Sequence, residues 1–270
     1  MASSTSDVRY VDLLVKPIQV CAAYKPKLGH GPKAGLSLAD FQKMYGDDPF
    51  YSWFGLDNPL MYAAHKAAGG MTSVYRQLGI GCERLFRQLL QDQLGLTESQ
   101  CKWSYVVRGK NKKKRKLRLD GRITLQDVQD GDERARVQRW IREAAGEMKV
   151  APQIVRALSG VVFEVRQGYK SKDSKRQNAD IANAATAYSQ AYLPCVVLLS
   201  NQMDADIFAR YRGEQWAILS GRLGDSSTIS STYAFAKEVL GYDLAAFLAR
   251  NTSTFRAEVA KVLEALLRTE

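Results

Sequence analysis

Hydrophobic and polar side chains alternate along residues 160–167, where the sequence reads Gly-Val-Val-Phe-Glu-Val-Arg-Gln. Because successive side chains of a strand point to opposite faces, Val161, Phe163 and Val165 share one face, and Glu164 and Arg166 share the other. The first face predicts the core of a sheet. A lone carboxylate in such a strand is costly unless it pairs with a cation or ligates a metal ion. Glu164 and the basic loop that follows therefore predict a site for a metal ion and a phosphate group.

The same periodicity predicts a helical region before this strand. From residue 72 to 94, apolar residues recur at helical spacing. Gly79 and Gly81 predict a break into two helices, and Gly95 predicts a C-terminal cap.

Two further alternating segments, 102–108 and 115–125, predict strands that the stretch Gly109-Lys-Asn-Lys joins as a hairpin. The other predicted elements are a helix over 134–148 capped by Asp132, a short helix over 152–158, a helix over 174–192, strands beginning at Pro194 and Trp216 with a small helix between them, and two amphipathic helices over 230–268.

This order of elements predicts an α/β (α+β) layered fold, in which helices flank a central mixed sheet. The 270 residues, 46% of them hydrophobic, suffice for a large core. We expect an N-terminal arm or subdomain over 1–70, a core over 71–225 and C-terminal helices over 226–270, packed as one compact domain. The aromatic cluster within 47–55 predicts a hydrophobic anchor for the arm, in preference to a surface on which bases stack.

The charge of the chain indicates a polyanionic partner. Lys and Arg number 39 against 28 Asp and Glu, which gives a net charge of +11. Such an excess favours DNA, RNA or an anionic membrane, and no apolar run approaches the ~20 residues of a membrane-spanning helix. The N-terminus lacks the features of a signal peptide, so we expect a cytoplasmic protein without membrane attachment.

The cysteines and histidines restrict the chemistry. The four cysteines are scattered without a CxxC pair, which is typical of free thiols in a reducing compartment rather than of a zinc site. Only two histidines occur, which argues against a nuclease with a catalytic histidine and against a Ser-His-Asp hydrolase.

Three acids are candidate ligands of Mg²⁺, which prefers carboxylate oxygens, water and substrate phosphate. Asp120 lies in the second predicted strand and Glu164 in the third, so adjacent strands could bring them together, and Glu83 lies in the helix before them. The candidate cations beside them are Arg166, Lys170 and Lys172. At the start of the following helix, Lys175 and Arg176 favour a phosphate, and Ser174 and Gln177 are further candidates for DNA binding.

A second basic segment, Arg108 to Arg118, holds eight basic residues and no acid. At the tip of the predicted hairpin, Lys112, Lys113, Lys114 and Arg115 would contact the DNA backbone. A solvated loop is the alternative interpretation.

These residues resemble the PD-(D/E)XK nuclease superfamily, and within it the type II restriction endonucleases. The resemblance spans about 82–220. Asp120 matches the motif Asp, Glu164 the second acid and Glu83 a helical acid near the metal ions, whereas Arg166 stands in place of the motif lysine. Since arginine keeps its proton and is a poor base, Lys170 is the replacement candidate, with Lys172 second.

The resemblance implies an αβββαβ core and Mg²⁺-dependent, site-specific hydrolysis of double-stranded DNA. It also implies a homodimer in the cytoplasm of a prokaryotic cell, with no organic cofactor. A DNA repair or recombination nuclease and a catalytically inactive nucleic-acid-binding protein remain alternatives, and charge alone does not separate DNA from RNA.

Structural alternatives also stay open for the individual acids. Glu164 could form an ion pair with Arg166, Asp120 could be a turn residue before Gly121, and Glu83 could be an ordinary helix-surface residue. Asp127, Asp130 and Asp132 are rivals of Asp120 for the first acid.

Overall fold

The computed structural model describes residues 5–29, 31–108, 114–169 and 183–269. It is a mixed α/β structure with a four-stranded mixed sheet and a two-stranded sheet, both accompanied by helices. The predicted fold class is confirmed at this level. The chain divides into two compact units, Met1–Gly81 with Ala249–Glu270, and Cys82–Leu248. Within the described part of the chain, every helix is too short or too polar to cross a lipid bilayer.

The first unit is helical. Ile18, Cys21, Val74, Val262 and Leu266 form one of its hydrophobic clusters. Its described elements are α1 (Thr5–Gln19), a 3₁₀ turn (Val20–Ala23), α2 (Leu38–Gly46), α3 (Pro49–Trp53), the first part of α4 (Pro59–Leu94) and α11 (Thr252–Leu267).

The second unit contains both of the described sheets. Its elements are the end of α4, β1 (Trp103–Arg108), β2 (Lys114–Leu119), β3 (Gly121–Thr124), a 3₁₀ turn (Leu125–Asp127), α5 (Gly131–Glu147), α6 (Pro152–Ala157), β4 (Gly160–Arg166), α7 (183–189), β5 (Tyr192–Leu198), α8 (Ala205–Gly213), β6 (Ala217–Leu219), α9 (Thr232–Ala234), a π-helical segment (Phe235–Leu240) and α10 (Leu244–Arg250).

Strand β4 lies inside the main sheet, whose order is β3-β4-β5-β6. It pairs antiparallel with β3 and parallel with β5, and β5 pairs parallel with β6. Strands β1 and β2 form an antiparallel hairpin as predicted. The predicted turn over 109–112 lies outside the described residues.

Both faces of β4 are covered, in agreement with its apolar sequence. Phe163 packs against Phe86, Trp140 and Phe235, with ring centroids 5.0, 6.4 and 6.0 Å away. Val162, on the opposite face, belongs to a cluster with residues of β5, α7 and α8. Glu164 and Arg166 share the face of Val162 by the two-residue period, so two charged side chains adjoin an apolar cluster on this side of the sheet.

The predicted break in the first helical region is wrong, because α4 runs without interruption from Pro59 to Leu94. A glycine costs about 1 kcal/mol relative to alanine in a helix interior, and tertiary packing often outweighs this preference. A Cβ atom at Gly81 would lie 3.1 Å from backbone atoms of Leu13 and Leu14, so glycine permits the close approach of α1. The predicted end is confirmed, since Gly95 follows the helix with φ +63°.

The single strand predicted over 115–125 is two strands in different sheets. The chain bends at Asp120 between β2 and β3. The side chain of Asp120 accepts a hydrogen bond from the backbone N–H of Val165 (2.9 Å), in the position where a ladder acceptor would otherwise lie. Aspartate side chains compete with backbone acceptors in this way, and periodicity does not reveal it.

The helix predicted over 174–192 ends earlier, and residues 174–182 lie outside the described part. The helical conformation ends at 189, and β5 begins at Tyr192. Ala191 adopts φ +62° and its carbonyl accepts the N–H of Ser159 (2.8 Å), which turns the chain into the sheet. The tail contains three helical segments after residue 230, separated at Gly241 (φ +89°) and Asn251, where two helices were predicted.

The aromatic cluster over 47–55 is not an anchor. Phe50, Trp53 and Phe54 are 59%, 82% and 68% exposed. Tyr51 is 40% exposed and stacks on Tyr45, with 4.8 Å between ring centroids. The short α3, which begins at Pro49, turns the other rings towards solvent.

The N-cap of α5 is Asp130 rather than the predicted Asp132. Its carboxylate accepts the N–H groups of Asp132 and Glu133, each at 2.9 Å. We expect Asp130→Ala to lower the free energy of unfolding by about 1 kcal/mol, because two amides lose their acceptor. Urea unfolding measures this change. Asp132→Ala is the matched control, and an equal loss from both variants would contradict the assignment of the cap.

Candidate functional site

The backbone brings Asp120 and Glu164 together. Gly121 pairs with Phe163 at the end of the antiparallel ladder of β3 and β4, and Asp120 immediately precedes this ladder. The N–H of Asp120 donates to the carbonyl of Phe163 (2.8 Å), and the N–H of Val165 donates to Oδ2 of Asp120 (2.9 Å). The two residues that flank Glu164 therefore hold Asp120 beside it.

Arg87 on α4 secures this arrangement from the helix side. Its Nε donates to the backbone carbonyl of Asp120 (3.0 Å). The contact fixes the bend between β2 and β3, so α4 helps to position the first acid. Arg87 was not predicted from the sequence. Its spacing of one helical turn from Glu83 was the available signal.

Glu164 is paired with a cation in the same strand. Its side chain is 9% exposed, and Nη2 of Arg166, whose side chain is 11% exposed, contacts Oε1. The two-residue period of the strand places both side chains on one face. The ion pair that the sequence left open as an alternative is therefore present, and it compensates the burial of the carboxylate.

Tyrosines continue the site from Arg166. The guanidinium carbon lies 5.6 Å from the ring centroid of Tyr169, and the hydroxyl of Tyr169 lies 2.6 Å from that of Tyr211. The N–H of Tyr169 donates to the carbonyl of Gln202 (2.9 Å), which ties the exit of β4 to the loop after β5. These tyrosines were not predicted from the sequence, and no local pattern marks them.

The third predicted acid, Glu83, lies on α4 and is half-buried. Its carboxylate, together with burial as the larger cause, raises the pKa of the neighbouring Cys82 thiol to about 12. Among the residues that the structure describes, no group of three His, Cys, Asp or Glu side chains is arranged to hold a metal ion. Asp120 and Glu164 are thus the pair that the sheet itself brings together.

The three aspartates that rival Asp120 as the first acid lie at the ends of helical segments. Asp130 caps α5, Asp132 lies in its first turn, and Asp127 ends the 3₁₀ turn after β3. The β3–β4 register does not place any of these three opposite Glu164.

Most of the residues predicted to bind DNA or to act as the base lie outside the described part of the chain. This holds for Lys112, Lys113, Lys170, Lys172, Ser174, Lys175, Arg176 and Gln177. Lys114 and Arg115 lie on β2, where they pair with Arg108 and Val107 of β1.

The described part of α7 packs on the sheet near the candidate site. Ala184 and Ala187 are buried in the cluster that contains Val162. At its start, Asn183 is 5% exposed and its Oδ1 accepts the hydroxyl of Tyr105 on β1. The helix is therefore fixed to both the main sheet and the hairpin.

Comparison with models of known protein families, with curated proteins and with solved structures finds no match to this chain.

Proposed function

We propose that this chain is a type II restriction endonuclease that hydrolyses double-stranded DNA with Mg²⁺ as its cofactor. The observation that carries the proposal is the bonding of Asp120 to Phe163 and Val165, which flank Glu164, together with the contact between Glu164 and Arg166. A carboxylate pair with an adjacent cation is the chemistry that phosphodiester hydrolysis requires.

The order and direction of the elements also support the proposal. Helix α4 precedes the β1–β2 hairpin, β3 runs antiparallel to β4, and β5 runs parallel to β4 after α7. Helices α5 and α6 form the insert between β3 and β4. This order supports the αβββαβ core that the resemblance to restriction endonucleases implies, with the difference that β1 and β2 form a sheet of their own.

The two carboxylates suit Mg²⁺ as hard oxygen donors. Asp120 and Glu164 would hold the ion, with Glu83 as a further candidate from α4. A bound Mg²⁺ supplies a water of lowered pKa and offsets the negative charge of the scissile phosphate. Arg87 and the N–H of Val165 keep the carboxylate of Asp120 in place for this role.

Arg166 contributes a fixed positive charge. Because a guanidinium does not lose its proton in proteins, Arg166 stabilises the extra charge on phosphorus and does not act as the base. Lys170, which directly follows the described segment 114–169, is the proposed base, and Lys172 is the second candidate.

The DNA contacts proposed for the enzyme are cationic. Lys112, Lys113, Lys114 and Arg115 of the hairpin, with Lys172, Lys175 and Arg176, would bind the DNA backbone, and Ser174 and Gln177 would lie near the cleaved bond. A homodimer would place one such site on each strand of a two-fold symmetric sequence.

A catalytically inactive DNA-binding protein is the second candidate, and a specific observation favours it. The guanidinium of Arg166 contacts the carboxylate of Glu164, which occupies a lone pair that a metal ion would use. The pair could thus preserve the fold and the charge without hydrolysis.

Digestion of phage-length double-stranded DNA separates the two candidates. We expect discrete fragments in the presence of Mg²⁺ and intact DNA in EDTA, because two carboxylates need the ion to support hydrolysis. Intact DNA in both reactions, together with a band shift of a labelled duplex, would instead support the inactive binding protein. A smear would indicate a nuclease that reads DNA structure rather than sequence.

A further inference from the structure

A cleft in the first unit lies outside the candidate site. It has a volume of about 410 Å³ and lies between α4 and the segment that follows the 3₁₀ turn Val20–Ala23. Lys25 and Lys27 line it from that segment, and Arg76 lines it from α4. Thr72 and Ser73 add two hydroxyl groups on the helix side.

The lining of this cleft favours anions. Three cations and the hydroxyls of Tyr24, Thr72 and Ser73 line it, and among the described residues its lining includes no Asp or Glu. Lysine, arginine and hydroxyl groups are the usual donors to phosphate oxygens in nucleic-acid complexes. The volume is also within the range of ligand pockets, roughly 300–1,000 Å³.

Two glycines hold the walls of the cleft in position. A Cβ atom at Gly69 of α4 would lie 2.0 Å from the hydroxyl of Tyr24, so the tyrosine rests directly on the helix backbone. Gly35 has φ +91°, and a Cβ atom there would lie 2.6 Å from Cβ of Lys25. The N–H of Leu36 donates to the carbonyl of Pro26 (2.8 Å), which closes the segment on itself. The backbone segment that carries Lys25 and Lys27 therefore has a defined conformation.

One acid lies near this wall. The pKa of Asp40 is lowered, first by hydrogen bonds from Ser37 and to a smaller extent by the charge of Lys25. Lys25 is therefore partly compensated by Asp40, whereas Lys27 and Arg76 are the better residues for a test.

We propose that this cleft binds a phosphate group of the nucleic-acid backbone, as a contact separate from Asp120 and Glu164. The identity of the polyanion rests on the proposed function. The anion-binding chemistry rests on the lining of the cleft alone.

The test compares two double variants of the full chain in binding a fluorescein-labelled DNA duplex over a range of salt concentrations in EDTA. Lys27→Gln with Arg76→Gln removes charge from the cleft. Lys43→Gln with Arg256→Gln removes the same charge from elsewhere in the first unit. We expect weaker binding and a slope of log affinity against log salt that is smaller by about 0.9 per lost phosphate contact in the first pair only. Equal slopes and affinities for the two pairs would overturn the proposal.

Lysine footprinting of the unaltered protein tests the same contact without depending on the folding of a variant. Acetylation of Lys27, followed by mass spectrometry, should fall when the duplex is added, while acetylation of Lys43 should not. Unchanged reactivity of Lys27 would overturn the proposal. If the cleft pair binds DNA less well but the unaltered chain never cuts it, the cleft assignment holds and the nuclease assignment fails.

Discussion

Glu164→Gln is expected to bind DNA normally and to cut it about 10²- to 10³-fold more slowly than the unaltered chain. The substitution keeps the size of the side chain but removes the negative charge of the residue whose two neighbours bind Asp120. Hydrolysis depends on that charge, whereas the binding of the phosphate backbone depends on the cations. Plasmid cleavage rates in Mg²⁺ and duplex affinity in EDTA measure the two properties separately.

Glu143→Gln provides the matched control. Glu143 lies exposed on α5, in the same unit, and its substitution removes an identical charge. We expect it to cut DNA at the rate of the unaltered chain. Normal cleavage by Glu164→Gln, or an equal loss in both variants, would exclude Glu164 from the chemistry.

Arg166→Met is expected to lower the free energy of unfolding by about 3–5 kcal/mol. The substitution removes the guanidinium that contacts Glu164 and leaves this carboxylate, whose side chain is 9% exposed, without that cation. Removing one member of a buried ion pair is strongly destabilising, because the remaining charge keeps its cost of desolvation. Urea unfolding at neutral pH gives the change directly.

Two further proteins make this prediction specific. Arg212→Met breaks the pair between Arg212 and Glu147, whose side chains are 33% and 54% exposed, and should cost only about 0–1 kcal/mol. The double variant Arg166→Met with Glu164→Gln should recover part of the stability, because no uncompensated charge remains. A loss from Arg166→Met as small as that from Arg212→Met would show that the Glu164–Arg166 pair contributes little.

The sequence predicted β4 well because the evidence is local. Strict alternation defines its two faces, and Val161, Phe163 and Val165 are all buried. The same alternation showed that Glu164 and Arg166 share a face, and from this their ion pair followed as an alternative. Short-range patterns of this kind depend only on the geometry of the strand.

The features that were mispredicted depend on distant residues. Helix α4 continues through Gly81 because α1 packs against that glycine, and the strand over 115–125 divides because Asp120 bonds to Val165, 45 positions away. Helix propensity and alternation contain no information about such partners. Arg87 was missed for the same reason, since its function lies in a contact with the backbone of Asp120.

The hydrogen bond between the N–H of Val165 and the carboxylate of Asp120 has a spectroscopic consequence. This amide proton is hydrogen-bonded to a side-chain oxygen rather than to a backbone carbonyl. Its NMR chemical shift therefore depends on the charge of that oxygen. Protonation of Asp120, or the arrival of a divalent cation beside it, would move a single amide resonance in the centre of the sheet. The amide resonance of Val165 therefore reports on the candidate site in the unaltered protein, without a substitution of either acid.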